Sequence, residues 1–363
     1  MKYYLLASLI IVSMLVHSQA LKRRTGQWNN LSFYPNSRRV TDVELDPNNG
    51  DRLYAAPDAS GIWYTESLGQ HWECITDNIP DVKDRNSDGD VMVDPADFNT
   101  VYYVSSSGAY YTTKDRGKNW TRVLDKEGKP VMLTDFKRNK VARLANGSLL
   151  MVATSIGTLH TKKSAAWPRG LHVSKDGGVT FKTYPDPSKD EQYLEIAIHP
   201  TNPNIIYAPT TNRLYKSTDA GDTFTPVFDF PGPVGGNSNI YVSPLEPDKV
   251  WLVTANSSIN EKDTAQTAIY LSRDTGKTWE VIQDMKNGIG SKLSIYDKGF
   301  PGSWLNNFAV NPVNTNEMIA GLDRAMESFD GGKSWQTISW WTRRKARMAD
   351  GNIVLWKVKD YVK

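Results

Sequence analysis

An eight-residue phrase recurs six times along the chain and constrains its fold more than any other feature. Ser174-Lys175-Asp176-Gly177-Gly178-Val179-Thr180-Phe181 returns as Ser217 to Phe224, as Ser272 to Trp279 and as Ser328 to Trp335. Thr113 to Trp120 is a fifth copy, and Thr65 to Trp72 is a degraded sixth with Ser67 where the aspartate should stand. The closing aromatics fall at 72, 120, 181, 224, 279 and 335, so the copies lie 43 to 61 residues apart. That spacing suits one four-stranded propeller blade per repeat. The phrase has the chemistry of a rigid hairpin loop. Its carboxylate accepts turn amides, its glycine supplies a positive φ, its Ser or Thr hydroxyl adds a local bond, and its aromatic tucks beneath. Asp115, Asp176, Asp219, Asp274 and Asp330 are therefore turn residues, and Trp72, Trp120, Trp279 and Trp335 are packing residues.

A second phrase precedes most of the copies. Val43-Glu44-Leu45-Asp46-Pro47, Val91-Met92-Val93-Asp94-Pro95, Ile196-Ala197-Ile198-His199-Pro200 and Phe308-Ala309-Val310-Asn311-Pro312 each lead, through a short turn, to a second apolar run. Each reads as the inner two strands of a blade, with the eight-residue phrase joining the outer two. In the third repeat a tight turn, Leu144-Ala145-Asn146-Gly147-Ser148-Leu149, replaces the longer one, and Met348-Ala349-Asp350-Gly351-Asn352-Ile353 echoes it near the C-terminus. Residues from about 346 thus begin a seventh blade, and Trp28 to Leu31 look like an outer strand with no blade before it. The expected fold class is all-β, a seven-bladed β-propeller closed by the N-terminal strand, which leaves no free sheet edge. One strand of the closing blade is unaccounted for, so that blade has three strands or the chain is a fragment.

Composition narrows the function classes. The near balance of 43 basic and 40 acidic residues gives no footprint for nucleic acid. The single cysteine, Cys74, rules out a disulfide framework, a multi-cysteine zinc site and an iron–sulfur cluster. Lys2, the apolar run from Leu5 to Val16 and the small residues Ser18 and Ala20 read as an export signal over residues 1–20, cleaved after Ala20. The run is too short to span a bilayer, and no later segment is apolar enough to do so. The expected product is a single propeller domain over 21–363, secreted or periplasmic and not membrane-spanning.

The eight-residue phrase resembles the Asp-box, or BNR, repeat of sialidases, sortilin-type receptors and xyloglucanase-type glycoside hydrolases, and the resemblance covers nearly all of the mature chain. The sialidase branch lacks support, because Arg38-Arg39-Val40 is the nearest match to that family's Arg-Ile-Pro phrase and carries no proline. In the xyloglucanase-type enzymes an acid of the first blade stands in a phrase like Tyr-Ala-x-x-Asp-x-x-Gly, and Tyr54-Ala55-Ala56-Pro57-Asp58-Ala59-Ser60-Gly61 matches it. The resemblance thus implies Asp58 as one of the two carboxylates of glycoside hydrolysis. That family's second acid comes from a second propeller, for which this chain has no room, so the partner must be local, with Asp323 the best placed. The same loop face carries Asn212, Arg213 and Arg324, and long insertions at roughly 156–168 and 255–267. Trp167, Arg169, Trp304, Asn306, Asn307 and Arg324 are candidate substrate-binding residues, with the two tryptophans able to stack on sugar rings. The expected partner is a polysaccharide or oligosaccharide, bound or hydrolysed. The alternative is a non-catalytic, sortilin-like scaffold for a secreted protein or peptide.

Asp84-Arg85-Asn86-Ser87-Asp88-Gly89-Asp90 resembles the start of a calcium loop, with oxygens from Asp84, Asn86, Asp88 and Asp90 at alternating positions. Pro95 stands where an acidic twelfth residue is needed and Met92 spoils the shorter propeller version. At most a weak structural Ca²⁺ site is expected there, and no other cofactor. The histidines form no metal pair, and no G-x-S-x-G, P-loop or dinucleotide fingerprint is present. Arg343, Arg344, Lys345 and Arg347 form the only basic cluster, a solvated loop or a contact for an anionic sugar.

Overall fold

The computed structural model describes residues 40–46, 48–57, 60–85, 90–133, 136–155, 168–231, 237–255, 268–283, 307–321 and 325–337. Six four-stranded antiparallel sheets follow one another along the chain, and each is a simple meander. The first holds β1 (Val40–Leu45), β2 (Leu53–Pro57), β3 (Trp63–Thr65) and β4 (Glu73–Cys74). The second holds β5 (Asp90–Asp94), β6 (Asp97–Val104), β7 (Tyr110–Thr113) and β8 (Thr121–Arg122). The third holds β9 (Phe136–Arg143), β10 (Leu149–Ser155), β11 (Gly170–Ser174) and β12 (Lys182–Pro185). The fourth holds β13 (Ala197–Ile198), β14 (Ile206–Pro209), β15 (Arg213–Ser217) and β16 (Thr225–Asp229). The fifth holds β17 (Asn237–Val242), β18 (Val250–Ala255), β19 (Ala268–Ser272) and β20 (Glu280–Gln283), and the sixth β21 (Asn307–Val310), β22 (Met318–Gly321), β23 (Ala325–Ser328) and β24 (Gln336–Thr337). First strands of successive sheets touch in the order β1, β5, β9, β13, β17 and β21, which is a propeller with its first strands innermost.

The blade count corrects the expectation of seven. The described residues form six blades, and closure by an N-terminal strand is not among their contacts. Residues 28–31 and 346–358, expected to build the seventh, lie outside the described residues.

The eight-residue phrase joins the third and fourth strand of every blade, and one bonding scheme repeats in all six. In the second blade the Thr113 hydroxyl accepts from the Gly117 amide at 3.0 Å and donates to Asp115 Oδ1 at 2.7 Å. Asp115 in turn accepts from the Asn119 amide at 2.9 Å and from its side chain at 2.7 Å. Ser174, Ser217, Ser272 and Ser328 repeat the pattern with Asp176, Asp219, Asp274 and Asp330. In the degraded copy the Ser67 hydroxyl takes over, accepting from the His71 amide at 2.9 Å. The glycine whose amide the hydroxyl binds, and the residue before it, are both left-handed in every copy, as at Arg116 and Gly117, with φ of 62° and 84°.

These turns also dock on the preceding blade, and this explains the glycine. A Cβ on Gly178 would lie 2.9 Å from the Tyr110 ring, and one on Gly221 would lie 2.7 Å from Val173. Tyrosines of the earlier blade reach across to the same turns: Tyr110 donates to the Gly177 carbonyl and Tyr207 to that of Thr275, both at 2.9 Å. Trp120 donates its indole N–H back to Ile75 at 2.8 Å. The apolar core accordingly sits between blades. Tyr54, Val91, Val101 and Tyr103 fill the first seam, and Trp251, Val253, Phe308, Met318 and Ala320 fill the last described one. The second phrase is explained by turn capping. The Asp46 and Asp94 carboxylates accept the amides of Asn48 and Ala96, and His199 Nδ1 accepts that of Asn202.

Asn119, through its side chain first and then its amide, together with the Thr113 hydroxyl, holds the Asp115 carboxyl down at about 2. Its unfolded value is near 3.9, so its contribution is complete above about pH 4 and is lost as pH falls toward 2. Thr113→Val leaves the buried Gly117 amide without an acceptor and should cost about 1–3 kcal/mol in urea unfolding at pH 7. Asp115→Ala should lower stability at pH 7 while making the loss between pH 4 and 2 shallower than in the wild type.

Candidate functional site

Strand direction divides the loops between two faces. The eight-residue turns and the first turns of each blade lie on one face. The loops between second and third strands, and the connections between blades, lie on the other. Long or charged loops on this second face make it the candidate site.

Two seams on that face are built alike. The connection from the first blade to the second ends in Asp84, which is buried. Its carboxylate accepts from the hydroxyls of Ser105, Ser107 and Tyr111 at 2.9, 2.7 and 2.8 Å, and Arg122 lies 3.8 Å away. The connection from the third blade to the fourth carries Glu191, also buried. It accepts from the Thr210 hydroxyl at 2.7 Å and pairs with Arg213 at 3.2 Å. Ser105 and Thr210 each stand directly after the second strand of their blade, where the same hydroxyl also accepts a backbone amide from its own loop. A hydroxyl at that strand end therefore ties each interblade connection to the next blade's loop.

Arg169 and Arg213 frame the third-to-fourth seam. Arg169 Nε lies 3.1 Å from Asp186, and its Nη2 donates to Gln192 at 2.5 Å. Arg213 also approaches Asp229 at 3.6 Å. Burial raises the Asp186 carboxyl despite the bond from the Tyr193 amide and the nearby guanidinium. The rings of Tyr193 and Tyr215 lie 5.8 Å apart beside this pair. The result is a patch in which the half-exposed guanidinium groups of Arg169 and Arg213 and the exposed Asp229 carboxylate can meet a polar ligand, while the buried Glu191 and Tyr193 hold them from below. Behind it, His172 is fully buried, stacked on Phe136 at 4.6 Å, with its nitrogens 2.8 Å from the Ser155 hydroxyl and 3.0 Å from that of Thr183.

Comparison with known proteins places this geometry. The Sortilin-Vps10 family, described as sortilin, neurotensin receptor 3, matches residues 169–292. The chain is 27% identical over 310 residues to the probable oligoxyloglucan-reducing end-specific xyloglucanase of Neosartorya fischeri, covering 80% of this chain and 32% of that one. This chain is a β-propeller related to the xyloglucanases and to sortilin. The propeller spans about a third of the length of the curated relatives it matches. Among solved structures, the GH74 xyloglucanase of Xanthomonas campestris superposes with a TM-score of 0.61 at 18% identity, over 86% of this chain and 47% of that one. YCF48 of Cyanidioschyzon merolae superposes with a TM-score of 0.54 at 12% identity, over 84% and 86% of the two chains. These likenesses concern the fold.

The propeller's expected site residues fall unevenly on the described structure. Asp58, Asp323, Trp167, Trp304, Asn306 and Arg324 lie outside the described residues, as do Asn86 and Asp88. β2 ends at Pro57, one residue before Asp58. Asn307 opens β21 opposite Gly321, and Asp90 opens β5 opposite Val104. Arg169 is on the expected face, held by Asp186 and Gln192. Asp84 is surrounded by hydroxyl donors, and no group of three or more metal-ligating side chains occurs among the described residues. No helix among them is long and apolar enough to cross a membrane. The sequence reading missed Asp186, Glu191 and Tyr193; the available signal was the acidic, proline-containing stretch Asp186 to Glu191 directly after a strand.

Burial holds the His172 imidazole neutral, down to about 4. Its unfolded value is near 6.5, so its contribution is complete above that pH and is lost as pH falls toward 4. Urea midpoints of the wild type should fall between pH 7 and pH 4.5, whereas His172→Gln should show a smaller fall over the same range.

Proposed function

We propose that this propeller is an exported protein that binds or hydrolyses a polysaccharide, with a xyloglucan-type β-glucan as the first substrate to try. The supporting observation is the relation to the Neosartorya fischeri xyloglucanase over 80% of the chain. The phrase Tyr54 to Gly61 begins within β2, which ends at Pro57, one residue before Asp58 in the chain. Asp58 and Asp323 are the proposed pair of carboxylates, one to protonate the leaving oxygen and one to act on the opposite side of the sugar. Trp167, Arg169, Trp304, Asn306, Asn307 and Arg324 are the proposed substrate contacts. Residues 1–20 are proposed as the export signal, and weak Ca²⁺ binding at Asp84 to Asp90 as a property of the loop ahead of β5.

A second reading has its own support. This chain matches YCF48 over most of YCF48's length, and YCF48 has been solved bound to D1 peptide. Together with the sortilin match over 169–292, this favours a scaffold that binds a peptide rather than cutting a sugar. A panel of plant and algal polysaccharides assayed for new reducing ends separates the two. On the hydrolase reading the wild type releases reducing ends, and Asp58→Asn or Asp323→Asn lowers kcat by about a hundredfold or more. Full activity in both variants removes this pair of acids. A wild type that neither cleaves nor binds any member of the panel leaves the scaffold.

A further inference from the structure

Each of the six described blades caps the turn between its first and second strands with a side-chain acceptor. At the end of the first strand, Asp46, Asp94 and Asn311 take the amides of Asn48, Ala96 and Val313 at 2.9, 3.0 and 2.9 Å. Ser243 takes those of Leu245 and Glu246 at 3.2 and 3.1 Å. In the tighter turn of the third blade Asn146 takes that of Ser148 at 3.0 Å. The fourth blade puts His199 at this position, and its Nδ1 takes the amides of Asn202 at 3.1 Å and Thr201 at 3.4 Å. The His199 amide closes the turn on the Ile205 carbonyl at 2.9 Å, as that of Asp46 does on Arg52 and that of Asn311 on Glu317.

Backbone amides only donate, so these bonds fix the tautomer: Nδ1 carries the lone pair and Nε2 the proton. A second proton would set an N–H at Nδ1 against two amide N–H groups and leave both without an acceptor. Carboxylate caps keep their lone pairs down to about pH 4, and carboxamide and hydroxyl caps do not titrate, whereas a free imidazole gains its second proton below about 6.5. His199 is buried, 5% exposed. Burial is the largest influence and holds its imidazole below the ordinary value. The Pro247 carbonyl and the Asp248 carboxylate, both on the fifth blade's first turn, favour the charged ring, and Lys216 on β15 opposes it. Asp274 and Lys277, on the fifth blade's eight-residue turn, face Lys216 in their turn. The capped turn therefore favours the neutral ring, so its stability is complete above about pH 6.5 and is lost as pH falls below that. The turn also holds a neighbour. Its Asn204 carbonyl accepts from the Ala220 amide at 2.9 Å, and Gly221, next in the chain, is pressed onto Val173 of the third blade.

We propose that His199 is an acid-released latch: its protonation opens the first turn of the fourth blade and loosens the Ala220 turn bonded to it, while the first turns of the other described blades stay capped. The response is confined to one blade because only there does an imidazole stand where its neighbours use a carboxylate, a carboxamide or a hydroxyl.

Hydrogen exchange of the full-length chain, followed by mass spectrometry from pH 7.5 to pH 5 and corrected for the intrinsic exchange rate, tests this. Protection of a peptide covering residues 199–206 should fall by up to about tenfold per pH unit below about 6.5. Peptides covering 46–52 and 311–317 should hold their protection over the same range. His199→Asp installs the cap of the first two blades and should keep the 199–206 peptide protected down to pH 5. His199→Asn installs the cap of the sixth blade and should do the same, which guards against a poor fit of either side chain. A wild-type peptide that keeps its protection to pH 5 overturns the proposal. So does an equal loss in the first turns of all three blades. A fall at 199–206 that survives both substitutions belongs to another group, such as His172, and overturns it as well.

Discussion

A buried hydroxyl that takes an amide proton and gives its own to a carboxylate is the interaction on which this structure rests. The turn it closes is left-handed for two residues, and in four of the six copies one of them is not glycine: Leu68, Arg116, Ala220 or Thr275, a conformation that the lock holds in place. Because the turn is rigid, its glycine can be pressed onto the side chains of the preceding blade. Seam packing in turn fixes the angle between blades, and the angle decides where the loops of the opposite face converge. Turn chemistry on one face thereby sets the arrangement of the loops on the other.

The same economy recurs on the loop face with a different grammar. There a hydroxyl at the end of a second strand holds a carboxylate from the incoming connection, as Ser105 holds Asp84 and Thr210 holds Glu191. Guanidinium groups complete the neutralisation, from Arg122 in one seam and Arg213 in the other. Buried carboxylates without such donors would be costly. The connections are therefore pinned at one acidic residue each, while the rest of their length is left to present side chains.

The repeated turn was legible because everything it needs is contiguous: hydroxyl, carboxylate, amides and glycine lie within eight residues. Blade order and strand pairing followed from it. The seams were not legible, since Tyr110 meets Gly177 and Trp120 meets Ile75 across a whole repeat. The spacing that marks Asp84 as the first oxygen of a cation loop is local, whereas the hydroxyls around it come from a strand end and a strand twenty or more residues on. For the candidate site the sequence located the face and Arg169, but not the acids that hold it, because ion pairing between Arg169 and Asp186 depends on a hairpin that periodicity cannot size. Asp58 and Asp323 rest on family resemblance and chain position alone.

The docking of each turn on its predecessor has a consequence for how such a chain can grow or shrink. The covalent repeat and the packed repeat are out of phase: a blade's third-to-fourth turn belongs in sequence to one sheet and in space to the sheet before. Copying a blade from its first strand to its last would deliver a turn shaped for a neighbour it no longer has. A duplication that begins at the second strand of one blade and ends with the turn of the next carries lock and seat together. Gene segments exchanged among proteins of this design should therefore have their breakpoints within sheets rather than between them.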